Sequence, residues 1–318
     1  MSEYVFESYV HGGREYFVYS EQGDLVRVDF PFPQSLLLML DLNPAVIDWL
    51  THPIERKLEA FYATPTPELE AEIMAGLDKL AGLHIYFAFV RLDWKRRFER
   101  ARRNGYASVM DDLPRKQIGH IHSEFQVLQQ QIKTLFHEVL YFEDDRDAIP
   151  ERLVAYYERE VEFSRDRYEF KPCPVSYELV EQGVFTDVLH PVSVYDLISF
   201  AVSECVKRRL RMRVCESCGR WFALTGRITA TYCNLPREGR ETGCRGLAAV
   251  KKWTENKKEN EVFTEYRREY KRRFAWIRAG RITADEFYAW SEQARMREAD
   301  CERGDMTLDE FKAWLKHE

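Results

Sequence analysis

Over the first 30 residues, apolar side chains recur with the short period of a half-buried strand. Residues 4–10, 15–19 and 25–30 are β-branched and aromatic runs, separated by Gly12-Gly13 and by Gln22-Gly23-Asp24. They predict a three-stranded β-meander, ended by Pro31 and Pro33. The spacing then lengthens to that of helices. Asn43-Pro44 and Thr66-Pro67 each put a capping side chain before a proline at the first helical position. Leu69, Ile73, Leu77 and Leu80, followed by Phe87, Trp94 and Phe98, predict helix from about residue 69 to 103.

The strongest helical signal runs from about residue 115 to 142. There Ile118, Ile121, Phe125, Leu128, Ile132, Leu135 and Val139 alternate three and four residues apart, a seam expected to be buried against other long helices. Another helix is expected from residue 150 to about 168. Two strand-like runs, 175–180 and 184–188, flank Gln182-Gly183, and Ser193 with Asp196 caps a helix that ends near Lys207. Beyond Cys244, residues 247–279 read as a charged helical segment, broken around 256–261. Its apolar stripe is Val250, Trp253, Phe263, Tyr266, Tyr270, Phe274 and Ile277, with Lys251, Lys252, Arg267, Arg268, Lys271, Arg272 and Arg273 on the other faces.

The tail repeats itself: Gly-x-x-Thr-x-Asp-Glu-Phe-x-x-Trp begins at Gly280 and again at Gly304. Each copy holds a glycine helix stop, a capping box (Thr283 with Glu286, Thr307 with Glu310) and an aromatic pair at i and i+3. Every repeated residue has a folding role, so an antiparallel helical hairpin is favoured over a tandem partner-binding motif. The expected fold class is α+β, mainly helical. The expected organisation is an N-terminal α+β helical domain over 1–208, a small four-cysteine module over 209–253, and a basic helix with a helical hairpin over 254–318.

The cysteines bring in chemistry. Cys215 and Cys218 form a Cys-x2-Cys knuckle with Gly219 behind it, and Cys233 and Cys244 follow after 14 and then 10 intervening residues. Two thiolates from one tight turn and two from further on suit a tetrahedral zinc ion. Four protein ligands leave no open position, which makes such a site structural rather than catalytic. The competing reading is a redox Cys-x2-Cys with two unrelated thiols. Trp221, Phe222 and Tyr232 are expected to form a minicore beneath the metal. Cys173, Cys205 and Cys301 are left as ordinary thiols. Seven cysteines, an odd number, argue for a reducing cytoplasm and against a disulfide framework. No basic-then-apolar leader opens the chain, and the longest apolar stretch, 80–90, is too short to span a bilayer.

Charge changes the picture further. Residues 207–281 hold 21 Lys and Arg against 8 Asp and Glu, a net of +13, while the remainder of the chain carries −19. A basic block around a metal module is the electrostatic footprint of a nucleic-acid binder. The alternative is a scaffold in which that block docks on the acidic remainder of the same chain and zinc only staples the module. Arg220, Arg227, Arg237, Arg240 and Arg245 are the candidate contacts in the module, joined by Lys251, Lys252, Arg267, Arg268, Lys271 and Arg272 beyond it; phosphates suit them better than base edges. No phosphate loop, nucleophile elbow, H-E-x-x-H or calcium loop is present. His120, His122, Glu124 and His137-Glu138 cluster in sequence without converging as a group, although His120 and Glu124, one turn apart, are placed to form a modest surface pair. An enzyme with its pocket in the N-terminal region is the weakest of the three readings.

At Cys215-x2-Cys218-Gly219, Tyr232-Cys233 and Gly243-Cys244-Arg245, the module resembles the CGNR-type zinc fingers of bacterial proteins described as transcription regulators. Arg245-Gly246 stands where that family has Gly-Asn-Arg. The resemblance covers about residues 214–253. It implies a helical domain ahead of a zinc finger, a basic helix after it, and a DNA-binding role. The chain as a whole, with its repeated tail, is similar to an uncharacterised bacterial family, which implies a fold and a zinc site but no activity.

Overall fold

The computed structural model describes residues 5–21, 23–141, 148–160, 167–181, 183–225, 229–236, 243–247 and 260–317. It is mainly helical with one large sheet, the α+β class expected from the sequence. Two compact units divide the chain, Met1–Leu235 and Pro236–Glu318.

The expected meander forms from β1 (Phe6–His11), β2 (Arg14–Glu21) and β3 (Asp24–Pro31), with Gly12, Gly13 and Gly23 at positive φ in the turns. A second hairpin, β4 (Val175–Glu181) with β5 (Val184–Leu189), joins the same sheet. β5 pairs antiparallel with β1, setting Ser8 opposite Leu189 and Tyr9 opposite Val188. The order is therefore β3-β2-β1-β5-β4. Phe6 and Phe17 are buried on one face, where Phe6 meets Phe89 edge-on at 5.3 Å and Phe17 meets Tyr86 at 6.1 Å. That aromatic face holds the helical layer on the sheet.

The helical layer begins with α1 (Gln34–Leu40), α2 (Pro44–Ala63), α3 (Pro67–Ala81) and α4 (Ile85–Arg103). The Asn43 side chain accepts from the Ala45 amide and Thr66 accepts from Leu69, as their sequence signals predict. The run expected over 69–103 is two helices, because the His84 imidazole accepts from the Tyr86 amide and so starts α4 afresh. The short α5 (Val109–Asp112) and α6 (Arg115–Gly119) lead to α7 (Ile121–Leu135), which continues as a π-helical turn over Phe136–Leu140. The expected seam helix thus breaks at His120 and widens at its end.

Most of that seam is buried as expected: Ile118, Phe125, Ile132, Leu135 and Val139 have no exposed surface, and Phe125 stacks on Phe87 at 5.1 Å. Leu128 departs from the expectation. It is only partly buried and lines a cavity of about 430 Å³, while its neighbour Gln129 turns inward to donate to the Met39 and Leu42 carbonyls, each at 2.8 Å. The end of α1 needs those carbonyls satisfied, and an amide supplies what leucine cannot. α8 (Ile149–Glu158) ends before the expected position. Tyr168 returns to it as non-helical chain, its amide donating to the Tyr156 hydroxyl at 2.9 Å. α9 (Val194–Lys207) opens with the expected capping box of Ser193 and Asp196.

A polar cluster lies sealed between the sheet and the helices. Glu15 is 2% exposed and accepts from both the backbone amide and the hydroxyl of Ser35, each at 2.6 Å. The Ser35 hydroxyl also meets the Tyr86 hydroxyl at 3.0 Å, and His84 Nε2 lies 3.0 Å from the Ser35 carbonyl. Burial pushes Glu15 up to about 7, against the pull of its two hydrogen bonds from Ser35, and pushes His84 down to about 4.

The C-terminal unit contains α10 (Glu261–Arg278), α11 (Ala284–Arg303) and α12 (Leu308–His317). Both repeated capping boxes form, and Gly280 and Gly304 take the positive φ of helix stops. The repeated aromatics build the core: Phe287 and Phe311 are fully buried, and Trp290 and Trp314 lie parallel at 6.5 Å. Arg273, expected on a polar face, is 6% exposed. Its guanidinium sits over the Trp290 ring at 4.6 Å and donates to Glu269 and to the Leu315 carbonyl. A ring face, a carboxylate and a helix-end carbonyl together offset the cost of burying the cation. Among the described residues, no helix is long and apolar enough to cross a membrane.

Candidate metal centre and the basic residues around it

Two short strands hold the Cys-x2-Cys knuckle: β6 (Met212–Val214) and β7 (Trp221–Ala223), with Val214 opposite Trp221. The ladder continues one step inward, where the Cys215 amide donates to the Arg220 carbonyl at 2.9 Å. The chain then tightens, the Gly219 amide reaching the Cys215 carbonyl at 2.8 Å with φ at +72°. A side chain would be strained there, which is why glycine follows the second cysteine.

The third cysteine is brought in by backbone contacts. The Glu216 amide donates to the Thr231 carbonyl at 3.1 Å, and the Cys233 amide donates to Cys215 Sγ at 3.4 Å. All four sulfurs, of Cys215, Cys218, Cys233 and Cys244, lie within 4.8 Å of one another. Cys215, Cys233 and Cys244 are buried, Cys218 partly so. None of the seven cysteines is in a disulfide. Cys218 Sγ and Cys233 Sγ are 3.7 Å apart, far beyond a sulfur–sulfur bond of about 2 Å. A tetrahedral ion with metal–sulfur bonds of about 2.3 Å sets its ligands roughly 3.8 Å apart. The four thiols are therefore placed to hold a metal ion. Burial and the adjacent thiols also push Cys233 up to about 12, so a cation is what would let that sulfur ionise in this position.

The surroundings support the knuckle. The Arg220 guanidinium bonds the Cys218 side chain, donates to the Leu235 carbonyl at 3.2 Å and lies 3.5 Å from Asp41, the residue that ends α1. It is a cation set against a cluster of potential thiolates, the kind of outer contact that orients ligands and offsets their charge. Burial raises Asp41 to about 6 although Arg220 and Lys133 pull it down. Trp221 packs edge-on against Phe136 at 5.8 Å and Tyr141 at 6.1 Å. The expected minicore under the metal thus extends into the helical layer, because so short a ribbon has too little apolar surface to bury alone.

The sequence-derived basic candidates are distributed unevenly. Arg220 is largely occupied by the contacts just described. Arg245 is exposed, in the helical turn of residues 244–247 that begins with Cys244. Arg227, Arg237, Arg240, Lys251 and Lys252, with Val250 and Trp253, lie outside the described residues. Arg267, Arg268, Lys271 and Arg272 are exposed together on α10, away from its buried Tyr266. α12 adds Lys312 and Lys316, which line a cleft with Arg268 and Arg272. Their i, i+4 spacing was the available signal for this, but only the fold sets it opposite the arginine pair.

The histidine cluster does not converge. His120 and Glu124 line a cavity of about 380 Å³ with Asp93, Arg97 and Lys116. His122 lies 3.5 Å from Asp48, and His137 stacks on Tyr141 at 5.8 Å. On the sheet surface, His190 Nε2 reaches Ser176 at 2.9 Å, but Glu178 takes the same nitrogen at 2.7 Å and the serine hydroxyl donates to that carboxylate.

Residues 172–318 match a family of unknown function, DUF6076. The matched segment begins just before β4 and takes in all four clustered cysteines and the helical tail, while the β1 strand that pairs with its hairpin lies outside it. No curated protein and no solved structure matches the chain.

Proposed function

We propose that the protein binds duplex DNA through phosphate contacts made by its basic C-terminal region, in a regulatory role, with a structural zinc ion at the four cysteines. Zinc suits the cluster because four thiolates satisfy its tetrahedral preference and exclude a water ligand, which leaves folding as the metal's task. The observation that carries the DNA reading is the face of α10. Tyr266, Phe263, Tyr270 and Ile277 pack in the bundle core, yet Arg267, Arg268, Lys271 and Arg272 stay exposed side by side. The helix holds six basic and three acidic residues, so internal ion pairs cannot neutralise it. The charge segregation along the chain and the resemblance of the cysteine module to CGNR-type fingers point the same way.

The test is fluorescence anisotropy of a labelled duplex against the full chain over a range of salt. Binding should weaken steeply as salt rises, with a log–log slope of about −0.9 for each phosphate neutralised. The quadruple change R267E/R268E/K271E/R272E should abolish binding while melting as the wild type does. If the wild type does not bind at low salt and the quadruple variant is instead destabilised, the scaffold reading replaces this one.

A further inference from the structure

A cleft of about 270 Å³ opens between α10 and the last turns of α12, and it lies wholly within the C-terminal unit. Arg268 and Arg272 line it from one side, Lys312 and Lys316 from the other, with Glu265 and Glu269 at its floor. Each cation pair is spaced i, i+4, so two rows of like charge face each other across the opening. The Arg273 bond to the Leu315 carbonyl, at 3.3 Å, fixes the two helices side by side.

The two carboxylates do not cancel this charge. Glu265 is taken by Arg268, and Glu269 accepts from Arg272 at 2.5 Å and from buried Arg273 at 3.1 Å. Among the described residues, no carboxylate lies within ion-pairing distance of Lys312 or Lys316. Two lysine charges are therefore left over, facing two guanidinium groups whose planar forks match the oxygens of a tetrahedral anion. Like charges gathered in one concavity repel one another, and an anion seated among them removes that cost.

We infer that this cleft seats a backbone phosphate of the bound duplex, with Lys312 and Lys316 as contacts additional to the α10 row. The inference rests on the DNA reading above and assigns it a place: the strand crosses from the Lys312–Lys316 edge of the cleft over Arg268 and Arg272 to Arg267 and Lys271.

Two measurements test it on the full chain. In duplex anisotropy, K312Q/K316Q should weaken binding about 10-fold and make the salt slope shallower by about 1, as for the loss of one phosphate. K312R/K316R should bind as the wild type does, which separates lost charge from lost structure. In parallel, inorganic phosphate titrated into ¹⁵N-labelled protein should shift the Nε–H resonances of Arg268 and Arg272 in the wild type and not in K312Q/K316Q. A wild type that binds duplex and a glutamine variant that binds it equally well would overturn the cleft and leave the DNA reading standing. No duplex binding by the wild type would overturn both, and phosphate shifts without duplex binding would rule out DNA as the occupant.

Discussion

Replacing Glu15 with glutamine should change how the stability of the N-terminal unit depends on pH. The carboxyl is 2% exposed, and its two hydrogen bonds come from an uncharged amide and an uncharged hydroxyl. Burial dominates and raises it from an ordinary value near 4.5 to about 7. A carboxyl raised in this way stabilises the fold while protonated. That contribution is present in full below about pH 4.5 and is lost as pH climbs through about 7. An interval from about 4.5 to about 7, at about 1.4 kcal/mol for each pH unit, corresponds to roughly 3 kcal/mol. Glutamine cannot ionise and so escapes the loss. It also presents one carbonyl oxygen where two carboxyl oxygens accept now, a cost of about 1 kcal/mol. E15Q should therefore be the less stable protein at pH 5 and the more stable at pH 8.5. Urea unfolding at fixed zinc, read by pulsed hydrogen exchange on peptides from β2 and α4, measures this unit alone. His84, lowered to about 4 by burial, costs stability as pH falls from about 6.5 toward 4, but does so in both proteins and cancels from the difference. A stability difference between the two proteins that stays flat from pH 5 to 8.5 would refute the reasoning.

Two further outcomes follow from the packing and the thiol cluster. Purified protein should contain about one zinc per chain by elemental analysis, and C233S should lower that content and loosen residues 212–235 in hydrogen exchange; zinc-free protein with unchanged exchange there would remove the metal from the account. Phe125→Ala should cost about 3–5 kcal/mol, because its ring is fully buried on Phe87, whereas Leu128→Ala should cost only about 1 kcal/mol at its half-open site; equal costs in denaturant titrations would show the helical phase to be wrong.

Local signals were enough for much of this protein. The meander, the proline-capped starts of α2 and α3, the capping boxes at Ser193, Thr283 and Thr307, and the four cysteines as one group could all be read from residue type and spacing. Each depends on contacts within a few residues or, for the cysteines, on a ligand set that few other arrangements use. Other features needed tertiary partners. The β4–β5 hairpin joins β1 where Val188 and Leu189 are buried opposite Tyr9 and Ser8, a pairing no single strand records. Gln129 replaces Leu128 in the core because the end of α1 presents two carbonyls to it. Arg273 is buried because Trp290, Glu269 and the Leu315 carbonyl converge from three helices. Glu15 looks like any strand glutamate until Ser35 and Tyr86 close over it. Lys312 and Lys316 are ordinary tail lysines until α12 sets them across a cleft from Arg268 and Arg272. Spacing within one element is written in consecutive residues, whereas burial, charge compensation and convergence are set by which elements touch, and that is decided by the fold as a whole.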